Sequence, residues 1–326
     1  MLESARPLST PHRRLGLGLD AGGTATRWAL ADADGHPIAE GLLAPIAGAM
    51  WAQGDAGRQA MRAVFDLAFA EATRAAAQAL PAAPPLAGAW AGITGLAEEH
   101  ADAVATALAA ACALPRDAVD IVSDVVLACR AAFRPGEGLV VYAGTGSVAA
   151  HLASDGRTLE RAGGRGPVID DAGGGYWLGA RALRTLWRRE DGSPGHMLDS
   201  ALGREVAGQL GGSDWATHRA FVIRASRGEI GLLGLAVARA ANAGDDEARA
   251  LLLRAGDELA ALALPLMRRT PVRAIALAGR VWDLHPAIAE QFESRIAPRW
   301  HGVAIKRLTR SPHHAAAVLA AGGSPE

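Results

Sequence analysis

The chain of 326 residues is long enough for two domains or one large one. Half of the residues are hydrophobic and the formal net charge is −1, so we predict a soluble globular protein whose main partner is neither a nucleic acid nor a membrane. The two cysteines, Cys112 and Cys129, are too few for a disulfide framework. The single lysine, Lys306, does not follow a glycine, which excludes a Walker A loop.

The amino-terminal segment is not predicted to be a secretory signal peptide. Residues 1–14 lack the apolar core of a secretory signal peptide. The chain also has no apolar run long enough to span a bilayer. We therefore predict that residues 1–14 form a disordered tail and that the protein is cytoplasmic.

The first part of the chain alternates short apolar segments with glycine turns. Strands are predicted at 15–19, 25–31 and up to about 43, which together make an antiparallel meander. Helical spacing of apolar residues predicts a long helix at 55–80. Beyond it we expect a strand within 86–95, a helix at 98–113, and a strand running into a helix within 119–133.

The opening pattern recurs in the second part of the chain. Residues 138–164 again show an apolar strand, a small glycine turn, a second strand, an Asp-Gly turn and a third strand. We interpret this as an internal duplication with one meander per domain. The rest is predicted as a mostly helical region from Ala180 to Arg269, a strand within 273–283, a helix, a strand near 302–308 and a final helix at 312–321.

Two glycine turns occupy equivalent places in the two meanders. Glycine lets backbone N–H groups approach a phosphate closely, and Thr24 adds a hydroxyl donor, so we predict that both turns bind phosphate. Asp20, at the end of the first strand, is placed to hold Mg²⁺ through water. The predicted phosphate-binding residues are Gly22, Gly23 and Thr24 in the first turn, and Gly144, Thr145, Gly146 and Ser147 in the second.

Residues 16–21, GLGLDA, nearly match the dinucleotide-binding pattern G-x-G-x-x-G/A. That pattern requires a helix directly after the glycines. A second strand is predicted there instead, which excludes the dinucleotide interpretation. Ordinary hairpin turns remain the structural alternative to phosphate binding.

Asp124 stands between a short apolar strand and a helix, and it has two interpretations. An aspartate at such a junction commonly caps the helix. A carboxylate at the carboxyl end of a strand can also act as a general base on a substrate hydroxyl. Its position in the sequence does not decide between the two.

Residues 163–179, GGRGPVIDDAGGGYWLG, contain seven glycines. Glycine is disfavoured inside helices and strands because it loses more backbone entropy and offers no side chain to pack. We therefore predict a shaped loop that holds a small molecule, with Tyr176 and Trp177 at the start of the following helix.

Six segments together resemble one family. They are LGLDAGGTATRWAL, VSDVVLACRAA, YAGTGSVA, GGRGPVIDDAGGGYWLG, ALAGRV and SPHHAAAVLAAG, in this order along the chain. The order is similar to that in the actin/hexokinase/heat-shock-chaperone superfamily. More narrowly, the chain resembles the N-acetylglucosamine and glucosamine kinases grouped with the BadF/BadG/BcrA/BcrD ATPases, over nearly all of its length after residue 14.

The resemblance implies an α/β fold of two duplicated ribonuclease-H-like (actin-like ATPase) domains with an interdomain cleft. The domains would span 15–125 and 126–311, with the final helix packing back on the first. It implies a sugar kinase that uses ATP and Mg²⁺, with Asp20 at the metal, Asp124 as the base, Gly279 near the adenosine and a homodimeric assembly. We further predict that the sugar is bound by Gly164, Arg165, Gly166 and Asp171.

Three departures from the family pattern concern the sugar. Arg165 stands where the family usually has tryptophan, and residues 170–174, DDAGG, replace Gly-Asp-Glu-Gly-Ser. The asparagine that commonly follows the third strand is missing. A site that has lost several polar contacts discriminates differently among sugars. Arg165 then has two interpretations: it pairs with an anionic group on an altered sugar, or it is a solvated loop residue.

The second hypothesis for the function is an ATPase that activates a partner enzyme, as some BadF-type proteins do. Those activators share a cysteine-ligated iron–sulfur cluster at a dimer interface. Cys112 and Cys129 do not have the close spacing typical of such ligands. We therefore rank this hypothesis below the kinase.

Overall fold

A computed structural model describes residues 14–80 and 82–324. The predicted disordered tail lies outside the described residues, except for Arg14. The chain forms two units, one of residues up to Ala131 together with those from Thr309 onward, and the other of Ala132–Leu308.

The described residues form ten strands, six of which make up the two predicted meanders. They are β1 (Leu15–Ala21), β2 (Thr26–Asp32), β3 (Pro37–Leu43), β4 (Leu86–Ile93), β5 (Val119–Val122), β6 (Leu139–Ala143), β7 (Ser147–Leu152), β8 (Leu159–Gly163), β9 (Ala274–Ala278) and β10 (Ala304–Arg307).

Eleven α-helices join or follow these strands in the described part of the chain. They are α1 (Gly48–Ala52), α2 (Asp55–Ala79), α3 (Ala101–Ala111), α4 (Asp124–Ala132), α5 (Gly175–Gly192), α6 (Ala201–Leu210), α7 (Trp215–Arg224), α8 (Arg227–Asn242), α9 (Asp246–Arg269), α10 (Pro286–Ile296) and α11 (Pro312–Ala320). None of them is long and apolar enough to cross a membrane.

The two sheets share one topology. The first has the order β3-β2-β1-β4-β5 and the second has β8-β7-β6-β9-β10 when read from the corresponding edge. In each sheet the first three strands in sequence are antiparallel, and the last two run parallel to the central one. The predicted α/β class and internal duplication are therefore confirmed. Because β1, β4 and β5 are parallel, their carboxyl ends meet at one edge of the first sheet.

Helix α11 packs against β1 in the first unit through two glycines. A Cβ atom on Gly16 would lie 2.1 Å from the carbonyl oxygen of Ala317, and one on Gly18 would lie 2.1 Å from that of His313. Real side chains cannot approach backbone this closely. The glycines of the GLGLDA segment therefore serve helix packing, which explains the near match to a dinucleotide pattern without a nucleotide.

The glycine-rich stretch is only partly a loop, because α5 begins within it at Gly175. The sequence predicted that the helix starts at Tyr176 and Trp177, and α5 begins one residue earlier. A Cβ on Gly179 would lie 2.0 Å from the carbonyl oxygen of Ile230, and one on Gly175 would lie 3.3 Å from that of Gly231. Close packing of α5 against α8 thus outweighs the low helix propensity of glycine.

Smaller differences concern helix ends. The short helix α1 was not predicted, and the helix expected at 98–113 consists of a 3₁₀ turn at Glu98–His100 followed by α3. Each unit has its own hydrophobic core, represented by the fully buried Phe65 in the first and Phe292 in the second.

Candidate active site

Two carboxylates lie near each other at the carboxyl edge of the first sheet. Asp20 is the sixth residue of β1, and Asp124 is the first residue of α4, two residues beyond the end of β5. Burial raises the pKa of Asp20 to about 6, with a further contribution from the charge of Asp124, while Arg27 acts in the opposite direction. The parallel strands thus bring together the two acidic residues that the sequence singled out.

Thr94 holds the carboxylate of Asp124 in place. It follows β4 directly, and its hydroxyl donates a 2.7 Å hydrogen bond to Oδ2 of Asp124. Its own backbone is fixed on both sides, since its N–H donates to the carbonyl of Ala21 and its carbonyl accepts from Gly48. Sequence reasoning missed Thr94; the signal available was a hydroxyl residue at the end of the strand predicted within 86–95.

The capping role at the start of α4 belongs largely to Ser123. The hydroxyl of Ser123 accepts from the N–H of Val126 at 3.3 Å, and its carbonyl accepts from that of Leu127 at 3.0 Å. Asp124 accepts a 2.9 Å bond from the N–H of Val125 through Oδ1. One oxygen of Asp124 is therefore bonded to the helix start and the other to Thr94, which gives the carboxylate a defined orientation.

The first glycine turn connects β1 and β2 next to this carboxylate pair. The N–H of Gly22 donates to the carbonyl of Ala25 at 3.1 Å, which closes the turn, and Gly23 and Thr24 are exposed at its tip. A Cβ on Gly23 would meet no atom within 4 Å among the described residues. The conformation of the turn therefore does not itself require glycine at 23, while a glycine there leaves the backbone open to a ligand.

The residues around Asp20 fit a divalent cation. A partly buried carboxylate beside a second carboxylate has an unfavourable charge environment, which a hard cation with oxygen ligands relieves. Among residues 14–80 and 82–324, the one cluster of three potential ligand side chains is Asp32, Asp34 and His36, in the turn between β2 and β3. Asp20 is not part of it, so protein ligands alone do not surround a metal at Asp20.

The second glycine turn connects β6 and β7 in the second unit, and the start of α5 is bonded to it. The N–H groups of Gly175 and Tyr176 donate to the carbonyls of Gly144 and Thr145 at 2.8 and 3.0 Å. A Cβ on Gly174 would lie 2.8 Å from the backbone of Gly146. The glycines at the end of the glycine-rich stretch thus let the start of α5 lie directly against the predicted phosphate turn.

Asp171 lies beneath the same turn. A Cβ on Gly146 would be 2.7 Å from the Asp171 carboxylate, so glycine is required there. The Asp171 side chain is 6% exposed and forms an ion pair with Arg227, the first residue of α8. Its backbone adopts the left-handed conformation with φ of 62°, which is uncommon for a residue other than glycine. Its predicted contact with the sugar stays a prediction.

Two other predicted nucleotide-binding residues have well-defined contacts. The hydroxyl of Ser147 is buried and donates to the carbonyl of Ala172 at 2.6 Å, so in this structure it supports the glycine-rich stretch. Gly279 follows β9 with φ of 94°, and a Cβ there would lie 2.3 Å from the carbonyl oxygen of Ala143. Gly279 is thus brought beside the residue that precedes Gly144.

The predicted sugar-binding residues 164–166 form the turn that follows β8. Gly164 donates to the carbonyl of Ser147 at 3.0 Å, and the carbonyl of Gly166 accepts from Asp170 at 2.8 Å. Arg165 is 62% exposed and lies 3.6 Å from the Asp170 carboxylate. The structure therefore brings 164–166 close to the second glycine turn, with the Arg165 side chain largely in solvent.

Both the sequence and the fold are similar to those of known proteins. The model of the BadF/BadG/BcrA/BcrD ATPase family matches residues 17–321. The chain belongs to the BadF/BadG/BcrA/BcrD ATPase family. No curated protein sequence gave a significant match. The family match includes both glycine turns, both carboxylates and the whole glycine-rich stretch.

Solved structures of sugar kinases share the fold of this BadF-family chain. A candidate N-acetylglucosamine kinase from Chromobacterium violaceum is 29% identical, with a TM-score of 0.69 over 95% of this chain and all of the other. One from Porphyromonas gingivalis is 20% identical, with a TM-score of 0.67 over 94% and 98% of the two chains. A ROK family glucokinase from Streptomyces griseus, solved with glucose and AMPPNP, is 16% identical, with a TM-score of 0.56 over 94% and 98%. The last two likenesses support the fold alone.

Proposed function

We propose that the protein is an ATP-dependent sugar kinase that transfers the γ-phosphoryl group of MgATP to a hydroxyl of an amino sugar. The observation that carries this proposal is the orientation of Asp124, fixed by Thr94 beside Asp20 at the carboxyl edge of the first sheet. Family membership and the likeness to the candidate N-acetylglucosamine kinase from Chromobacterium violaceum support it.

Asp124 is the proposed general base. Its Oδ2 accepts from Thr94 and its Oδ1 from the backbone of Val125, so its oxygens are held before the substrate arrives. Each oxygen retains a further acceptor site for the proton of the attacking sugar hydroxyl. Phosphoryl transfer depends mainly on positioning and charge neutralisation, so a fixed base of this kind suffices on the sugar side.

Asp20 is the proposed residue that holds Mg²⁺, through water as the sequence predicts. A cation held by Asp20 would supply positive charge that offsets the negative charge of the phosphates. Asp20 must be ionised for this role, and its pKa of about 6 makes it so at neutral pH.

The proposed phosphate and nucleotide contacts come from the two glycine turns and the end of β9. The exposed backbone at Gly23 and Thr24 and the open N–H groups of such turns suit phosphate oxygens. The proposed residues are Gly22, Gly23, Thr24, Gly144, Thr145, Gly146, Ser147 and Gly279.

The proposed substrate class is an N-acetylglucosamine or glucosamine type of sugar, or a modified relative of these. We assign its recognition to the turn at 164–166 together with Asp171. Arg165 is mostly exposed and only loosely paired with Asp170, so its guanidinium retains donors for an anionic substituent. A carboxylated or phosphorylated amino sugar is therefore worth testing beside the unmodified ones.

The activator hypothesis receives no support from the cysteines. Cys112 and Cys129 are both buried, and burial raises the pKa of the Cys112 thiol to about 12. Cluster ligands are thiolates, which form least readily from such thiols. The homodimer stays a prediction.

The test is ADP release from MgATP with a panel of sugars, comparing wild type with Asp124→Asn and Asp120→Asn. Asp120 is an exposed aspartate on β5 and serves as the matched control. We expect turnover that depends on one class of sugar, is lost by at least about a thousandfold in the Asp124 variant, and is retained in the control. ATP hydrolysis that needs no sugar and is the same in all three proteins would refute the kinase.

A further inference from the structure

Asp171 places a buried negative charge directly behind the predicted phosphate turn. Its carboxylate occupies the space that a side chain at Gly146 would need, and the Asp171 side chain is 6% exposed. An unpaired buried carboxylate is costly to the fold. At this place its field also opposes the approach of phosphate, which carries the same sign of charge.

Arg227 supplies the compensating charge from another helix. It is the first residue of α8, whose start is fixed by a capping box between Ser226 and Glu229. Its guanidinium forms the ion pair with Asp171 and lies 5.9 Å from the ring centroid of Tyr176. Tyr176 in turn donates its N–H to the carbonyl of Thr145. Arg227 therefore contacts two residues that both touch the turn.

The location of Arg227 allows it to act on a ligand of the turn. Its side chain is 50% exposed, whereas the carboxylate that it neutralises is buried. A guanidinium has five N–H donors, so pairing with one carboxylate leaves several of them free for solvent or a ligand. Other arginine pairs of the second unit, such as Arg239 with Glu205, bind a carboxylate on the surface.

We propose that Arg227 is a positioning residue for nucleotide binding. The Asp171 carboxylate packs against Gly146 of the Gly144–Ser147 turn, and Arg227 neutralises the charge of Asp171 so that the turn can bind phosphate. This inference rests on the proposed function in one respect, namely that the turn binds the phosphates of ATP. It adds a residue that the sequence did not indicate, and it gives Asp171 a role that does not require contact with the sugar.

The experiment measures the affinity for MgAMPPNP by calorimetry, without sugar, in wild type and in Arg227→Met, Asp171→Asn and the double variant. We expect Arg227→Met to bind about tenfold or more weakly, because the bare Asp171 carboxylate repels the phosphates. Asp171→Asn is expected to bind at least as tightly as wild type. The double variant should recover most of the affinity lost in Arg227→Met, because its neutral amide repels nothing.

Two further variants separate this role from a merely structural one. Arg227→Lys keeps the charge and should restore most of the affinity, and in turnover assays the KM for ATP should follow the binding data while kcat changes less. Arg239→Met removes an exposed arginine from the same helix and should bind as wild type does. Thermal unfolding of each variant shows whether it is folded.

The outcomes distinguish the two proposals. If wild type binds MgAMPPNP and Arg227→Met binds equally well, this inference is refuted while the kinase proposal stands. A double variant as weak as Arg227→Met refutes charge cancellation. If wild type binds no nucleotide under any condition, the proposed function fails and this inference fails with it.

Discussion

Replacing Asp20 with asparagine should stabilise the ligand-free protein while removing its activity. The pKa of Asp20 rises from its ordinary value of 3.8 to about 6 in the folded protein, chiefly because the carboxylate is buried. A folded state that binds the proton more tightly than the unfolded state loses stability as the pH rises from about 4 through 6. Above about pH 6, folded wild type carries the full free-energy cost of burying an ionised carboxylate, whereas Asp20→Asn carries none of it.

The size of the effect follows from the two pKa values. Each tenfold change in proton affinity corresponds to about 1.4 kcal/mol. The free-energy cost to folded wild type is then about 2 kcal/mol at pH 5 and about 3 kcal/mol at pH 8. The variant should therefore be the more stable protein at both pH values, and its advantage in the free energy of unfolding should grow by about 1 kcal/mol between them.

The assay is urea unfolding of the ligand-free protein in EDTA at several pH values from 5 to 8, followed by far-UV circular dichroism. Asp120→Asn, at an exposed position of the same sheet, is the control and should change stability little at any pH. Adding MgATP should narrow the difference, because the cation binds the ionised carboxylate of wild type more strongly than a neutral amide. The reasoning is refuted if Asp20→Asn is no more stable than wild type at pH 8, or if the difference does not depend on pH.

Two further predictions concern the same unit. Thr94→Val removes the hydrogen-bond donor to Asp124 and should lower kcat/KM by about tenfold or more in steady-state kinetics, while Thr94→Ser keeps the hydroxyl and most of the activity. Equal kinetics for the valine and serine variants would contradict this prediction. Gly18→Ala would place a methyl group 2.1 Å from the backbone of α11 and should destabilise the protein by about 3 kcal/mol in urea unfolding. Gly208→Ala is the control: its methyl group would meet no atom within 4 Å among the described residues, so the change should be neutral or slightly stabilising.

Local sequence predicted the strands well because period-two apolar segments bounded by glycine turns leave few alternatives. It also predicted the duplication, since both meanders carry the same turn chemistry. The start of α5 within the glycine-rich stretch was harder to predict. Entropy disfavours glycine in a helix, yet Gly175 and Gly179 are helical because their lack of side chains allows α5 to approach α8. That partner is about 50 residues away in sequence.

By itself, the sequence determined the class of fold, the two glycine turns and the acidic residues at strand ends, because these depend on the periodicity and turn preference of neighbouring residues. Only the tertiary structure decided their partners. Thr94 meets Asp124 because β4 and β5 are adjacent and parallel, and Arg227 meets Asp171 because α8 packs on α5. Charge compensation and orientation depend on distances in space, and no local pattern records which distant residue supplies them.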